Sequence, residues 1–253
     1  GAPPATLTFQ DGVGGYTGTR DTYIWNSGPD TIRGVETTMV QDINPSDERR
    51  SLLLFDLSSV PAGATIVSAE LQFYVDVEGQ GFNMHRMFVP WDEATVTYTS
   101  IGGRHFAANG TDAEALVNAN WPGVDGYVGY ITVSVPVATI QDWVDGTLAN
   151  NGWLMIATHA DDGQQLRTSE NATVANRPKL TVGYTTIPAT CYALTLGHTG
   201  LGSDPVASPA NSTGCGAGQY IADASISLSG ATPDAGWRIS SWTGTGNNSS
   251  MAN

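Results

Sequence analysis

From Arg49 to Val77 two apolar runs flank a polar connection made of Leu57, Ser58, Ser59, Val60, Pro61, Ala62, Gly63 and Ala64. The second run alternates. Ala69, Leu71, Phe73, Val75 and Val77 fall on one side, and Glu70, Gln72, Tyr74, Asp76 and Glu78 on the other. Side chains of a strand point to opposite faces in turn, so this pattern buries one face and wets the other. It predicts a half-buried antiparallel strand, central in its sheet, with Leu71, Phe73 and Val75 in the core. Strand signals recur at residues 7–9, 22–25, 37–40, 51–55, 66–77, 82–89, 95–98, 128–135, 153–158, 165–168 and 179–184, punctuated by Gly, Pro, Asn and Asp. That spacing predicts an all-β fold, an antiparallel jelly-roll β-sandwich. Two helical turns interrupt it, at 112–118 and at 137–143, where Val137, Ile140 and Val144 share a face ahead of Gly146.

The texture changes near Thr186, Ile187, Pro188 and Ala189. Beyond them Gly, Ser, Ala and Thr dominate, with short strand signals at 192–196, 226–228 and 237–242. The expectation is a sandwich over residues 1–187 and a small β-rich, disulfide-stapled module over 188–253. Cys191 and Cys215 are the only cysteines, and an isolated pair predicts one disulfide in an oxidising compartment, with two buried thiols as the alternative.

Composition narrows the partners. A net charge of −14 and a pI of about 4.3 argue against binding a nucleic-acid backbone or an anionic membrane surface. No run approaches the roughly 20 apolar residues of a membrane helix. Abundant glycine and only 13% charged residues resemble secreted, turn-rich β proteins, and Gly1-Ala2-Pro3-Pro4 looks like the end left when a signal peptide is removed. The expected location is extracellular or at the cell surface.

Catalytic signatures are missing. No nucleophile elbow, metalloprotease helix, phosphate loop or dinucleotide fingerprint occurs, and His85, His105, His159 and His198 are scattered. His85 reads as a hydrogen-bonded structural residue. Asp92 and Glu93 are adjacent, so on a strand they diverge and cannot act on one glycosidic bond, and Glu93 reads as a structural acceptor. The expectation is a protein that is not an enzyme. Calcium is the candidate cofactor, because Asp42, Asn44 and Asp47 place oxygens at intervals along one loop, against an ordinary turn as the alternative. Asp161-Asp162-Gly163 is a turn first, and Asp11 and Asp21 flank a glycine-rich loop where an ion could sit. Aromatic faces stack on sugars. Most tryptophans (Trp91, Trp143, Trp153, Trp237, Trp242) have structural readings, which leaves Trp121, in a loop, and Trp25 as candidate carbohydrate platforms. Asn109, Asn171, Asn211, Asn247 and Asn248 begin Asn-x-Ser/Thr sequences.

Several blocks occur in a recognisable order: Gly15-Tyr16-x-Gly18-Thr19-x-Asp21-Thr22-Tyr23, Leu54-Phe55-Asp56-Leu57-Ser58-Ser59-x-Pro61-x-Gly63-Ala64, Trp91-x-Glu93-Ala94-x-Val96-Thr97-Tyr98, Asn151-Gly152-Trp153-Leu154 and Arg177-Pro178-Lys179-Leu180-x-Val182-x-Tyr184. Over residues 6–186 they resemble the DNRLRE, or disaggregatase-related, β-sandwich family, which includes carbohydrate-binding modules of polysaccharide-degrading systems. Tyr192-x-Leu194-x-Leu196, Gly200-x-Gly202, Ile226-x-Leu228 and Gly236-Trp237-x-Ile239-x-x-Trp242-x-Gly244 resemble bacterial repeat modules related to divergent internalin-type repeats, with the last strands missing. The resemblances imply a non-catalytic extracellular module for adhesion, polysaccharide binding or matrix organisation. One alternative is a structural subunit of a fibre or surface layer, a homopolymer assembled by strand exchange through Thr6, Leu7 and Phe9, so that deleting residues 1–9 should leave a folded sandwich. Another is an ancillary domain of a secreted polysaccharide-degrading enzyme. The expected partners are polysaccharide or copies of the chain itself.

Overall fold

The computed structural model describes residues 4–160, 163–186 and 190–246. The chain divides into two compact units, Gly1–Thr186 and Ile187–Asn253. The first is a sandwich of two antiparallel sheets. Sheet 1 has six strands: β1 (Ala5–Phe9), β3 (Thr38–Gln41), β5 (Thr65–Val77), β8 (Gly129–Ser134), β10 (Gln164–Arg167) and β11 (Lys179–Thr185). Sheet 2 has five, in the order β2 (Thr19–Trp25), β4 (Arg49–Phe55), β9 (Trp153–Ala157), β6 (Phe82–Arg86) and β7 (Ala119–Trp121). The chain passes repeatedly from one sheet to the other, in the manner of a jelly roll.

β5 organises sheet 1. It pairs β11 from Thr65 to Gln72, β8 from Glu70 to Val75, and β10 at Val75 and Val77. Leu71, Phe73 and Val75 are fully buried, as the alternation predicts, whereas Val77 at the strand end is 43% exposed. Facing them from sheet 2 are Leu53, Phe55, Phe82, Met84, Trp153 and Met155. Burying a side chain of this size stabilises by about 1.5–3 kcal/mol, and Phe73→Ala costs about 3–5 kcal/mol once its cavity is counted. The helix α1 (Val137–Asp145) adds Ile140 and Trp143 to the same core. It ends at Gly146, whose left-handed φ of 71° lets its N–H bond to the Trp143 carbonyl. Gly152 is fixed by close approach, because a Cβ there would lie 2.0 Å from the Leu53 carbonyl oxygen.

Three segments differ from the sequence reading. Residues 112–118 are not helical: the N–H groups of Glu114 and Asn118 donate to the carbonyls of Arg86 and Met84, so the segment runs beside β6. Residues 95–98 are not a strand, because the Thr95 and Val96 N–H groups fold back onto the Asp92 carbonyl as a turn. Trp121 is not in a loop; it ends β7, opposite Phe82.

β1 also departs from expectation. Leu7 and Phe9 pair with Val182 and Leu180 of the same chain, and Phe9 is 1% exposed in the core. Deleting residues 1–9 would remove Phe9 from that core, so a sandwich left intact is no longer the expected outcome.

The C-terminal unit holds two short ladders, β12 (Tyr192–Ala193) with β14 (Gln219–Tyr220) and β13 (Val206–Ser208) with β15 (Ser227–Ser229). Residues 237–242 form no strand. Among the described residues of this unit Pro205 and Tyr220 are buried, while Tyr192, Leu201, Val206 and Trp237 are more than half exposed. A Cys191–Cys215 disulfide closes its first ladder. In the chain-entropy model a loop of that length stabilises by about 3 kcal/mol.

Candidate functional site

The outer faces of the two sheets are unlike. On sheet 2, Ile24, Leu52 and Leu154 point outward and are buried beneath Met87, Val96, Phe106 and Ala113, with Trp91 and Tyr98 at the margin. This forms a second core under a layer spanning residues 87–113. Ion pairs pin the layer. Arg104 grips Asp112 through both carboxylate oxygens, and Arg50 donates to Glu48 and to the Phe106 carbonyl. Asp112 also accepts the Ala107 N–H, and the Arg104 guanidinium holds its carboxyl below the usual carboxylate range.

Among the described residues sheet 1 carries no such layer. Its outward residues read across the registers as rows. Ser134, Glu70 and Thr181 form one, Thr132, Gln72 and Lys179 the next, and Tyr130 beside Tyr74 the third. The two tyrosine rings meet edge to face, with centroids 5.1 Å apart and planes at 87°. Tyr130 is 45% exposed. Its hydroxyl donates to Asn176 Oδ1 at 2.9 Å, and its carbonyl accepts the Tyr127 hydroxyl at 2.6 Å. Tyr127 in turn lies 6.5 Å from the Trp121 ring, which extends the aromatic track to the sandwich margin. An ion pair between Asp76 and Arg167 borders the tyrosines. Aromatic faces flanked by hydroxyl, amide and carboxylate groups can pack on the C–H face of a sugar and hydrogen-bond its hydroxyls.

The residues singled out from the sequence fare differently. Trp121 is half-buried against the core at the end of this track. Trp25 is engaged elsewhere. Its Nε1 donates to Asp47 at 2.6 Å, and the guanidinium groups of Arg33 and Arg49 lie 4.8 and 4.6 Å from its ring. The oxygens of the 42–47 loop are likewise committed: Asp42 Oδ1 accepts the Asn44 N–H, Asn44 Oδ1 accepts Ser46, and Asp47 pairs with Arg49. Asp11 accepts the Thr19 N–H, and Asp21 lies fully buried beneath the Ser169 N–H, so the two do not form one cage. Among the described residues no group of three or more His, Cys, Asp or Glu side chains is gathered to hold a metal ion. His85 is buried and hydrogen-bonded to the Glu114 and Leu116 carbonyls. Glu93 accepts the Asp21 N–H at 3.0 Å, the structural role expected of it, although it sits in a turn and not on a strand. Asn171 is buried, and Asp161, Asp162, Asn247 and Asn248 lie outside the described residues. Sequence reasoning missed Tyr74 and Tyr130. The available signal was Tyr74, an aromatic residue in the otherwise polar row of the alternating strand.

The first unit is thus an antiparallel sandwich with one covered face and one bare, tyrosine-bearing face. The chain belongs to carbohydrate-binding module family 96, whose model matches residues 15–184. That span holds β2 to β10, both tyrosines of the bare face, and all but the last residue of β11. No curated protein matches the chain.

Proposed function

We propose that the sandwich binds a neutral polysaccharide along the outer face of sheet 1, with Tyr74 and Tyr130 as the stacking platform and Gln72, Thr132 and Glu70 as hydroxyl partners. The observation that carries this reading is the contrast between the faces: among the described residues, sheet 1 leaves paired tyrosine rings and polar side chains open to solvent where sheet 2 is covered. The family supports a carbohydrate ligand. The charge of −14 favours an uncharged chain over a polyanion, since like charges repel. The disulfide and the turn-rich composition support work outside the cell, as a surface module or as the binding part of a polysaccharide-degrading system. Among the described residues no helix is long and apolar enough to cross a membrane.

A second reading is assembly into fibres. β1 ends the strand order of sheet 1, so one of its edges offers unpaired backbone groups to another chain. This is edge addition, with Thr6 and Thr8 on the outer side, and not the release of Leu7 and Phe9 from their own core.

The test is an array of neutral and uronic-acid polysaccharides probed with wild type and Tyr130→Ala. Binding to neutral chains that weakens about tenfold in the variant is expected from the loss of one stacking ring. Binding that is unchanged by the substitution contradicts the assignment.

A further inference from the structure

Where β2 meets the connection from β10 to β11, Asp21 meets Glu170, and the charge of Glu93 acts on Asp21 from nearby. Asp21 is 0% exposed. Its Oδ2 accepts the Ser169 N–H at 2.8 Å, and its own N–H goes to Glu93 Oε2 at 3.0 Å. Ser169 ties Glu170 to Asp21, because its hydroxyl donates to Glu170 Oε1 at 3.0 Å while its N–H is held by Asp21. Two oxygens are left over. Asp21 Oδ1 and Glu170 Oε2 are both buried and have no hydrogen-bond partner.

A buried carboxylate beside a second, half-buried one is costly when both are ionised, because Asp21 has lost its water and the two charges repel. A single proton removes the conflict. It neutralises one group, supplies an O–H donor, and gives both orphaned oxygens a partner. We propose that Asp21 and Glu170 form a proton-binding pair, with one proton held between Asp21 Oδ1 and Glu170 Oε2, that fastens β2 of sheet 2 to the β10–β11 connection of sheet 1.

The charged groups around the pair sustain this. Glu93 faces Asp21 from the turn before residue 98, and Asp92 lies behind Glu93. Arg20, exposed on β2, acts on Glu93. Burial first, and then the Glu170 charge, push the Asp21 carboxyl well above its ordinary value of 3.8. The sign follows. Folding takes up a proton that the unfolded chain has released, so the pair's contribution is complete below the ordinary value and is lost as pH rises through the raised one.

Thermal unfolding of the full chain between pH 4.5 and 8 tests the proposal, with wild type compared against Asp21→Asn and Glu170→Gln. Each amide supplies an N–H in place of the proton. Wild type should lose roughly 3–5 °C of the sandwich Tm per pH unit relative to both variants over the range where the proton leaves, the slope of one linked proton in a domain of this size. A wild-type-to-variant difference that is independent of pH overturns the proposal. So does a Tm rise on adding calcium chloride that Asp21→Asn abolishes, which would put a metal ion in the proton's place. If neither variant folds, the carboxyl carbon shift of Asp21 in wild type decides. Titration above the exposed aspartates supports the pair, and full ionisation by pH 5 refutes it.

Discussion

The two outer faces of the sandwich are both presented by antiparallel strands, yet one is roofed and the other is bare. Sheet 2 points Ile24, Leu52 and Leu154 outward, and apolar residues that leave the core side need a second cover, which Val96, Phe106 and Ala113 supply. Sheet 1 points Glu70, Gln72, Tyr74, Thr132 and Lys179 outward, and these tolerate water. A sheet that faces solvent on one side alternates cleanly, whereas a sheet buried on both sides reads as a continuous apolar run. Leu52, Leu53 and Leu54 form such a run in β4, and β5 alternates. The roofed face is closed by a second apolar core, and the bare face leaves its tyrosines and polar side chains open to solvent.

The largest effect that would break this contrast lies under the roof. Leu154→Ala should cost about 2–5 kcal/mol, read as a shift in the urea midpoint, because Leu154 is 0% exposed beneath the 87–113 layer. A near-neutral result would mean that the layer is a loose flap. On the bare face, Tyr130→Ala should cost only about 0.5–1.5 kcal/mol, the worth of its edge-to-face pair with Tyr74. A loss as large as that of Leu154→Ala would make the tyrosines core residues.

Acid should separate the two faces more subtly. Asp112 has its carboxyl lowered from 3.8 by Arg104, so its contribution is present above that value and is lost as pH falls through the lowered one. Hydrogen exchange in residues 104–113 should therefore accelerate at the most acid pH, while β5 and β8 stay protected. Uniform acceleration would show that the layer does not open by itself.

How far the sequence disclosed all this depended on period. β5 and α1 follow from alternation and helical spacing, because their buried faces are long enough to repeat. β7 escaped because Asn118, Asn120, Pro122 and Gly123 surround a short strand with turn residues. Residues 112–118 resembled a helix, but Asp112 spends its carboxylate on Arg104 and Ala107 instead of capping a turn. In the C-terminal unit Trp237 and Trp242 suggested a strand where no ladder forms, since glycine-rich chain with little buried surface leaves pairing weakly specified. The candidate face was the hardest to read. Tyr74 and Tyr130 are 56 residues apart and become neighbours only through the β5–β8 register. Tryptophans drew attention as the largest aromatics, yet Trp153 and Trp143 are spent in the core and Trp25 on two arginines. Asp21 and Glu170 likewise meet only because β2 and the end of β10 share one margin.

The central claim is that the bare face of sheet 1 is where a glycan sits. The most direct measurement is the titration of isotope-labelled protein with a neutral oligosaccharide, followed through its backbone amide resonances. The largest shifts should fall on Gln72, Tyr74, Tyr130 and Thr132, with Trp121 and Tyr127 following and residues 87–113 unmoved. Shifts concentrated on Trp91, Tyr98 and the rest of the covering layer would contradict it.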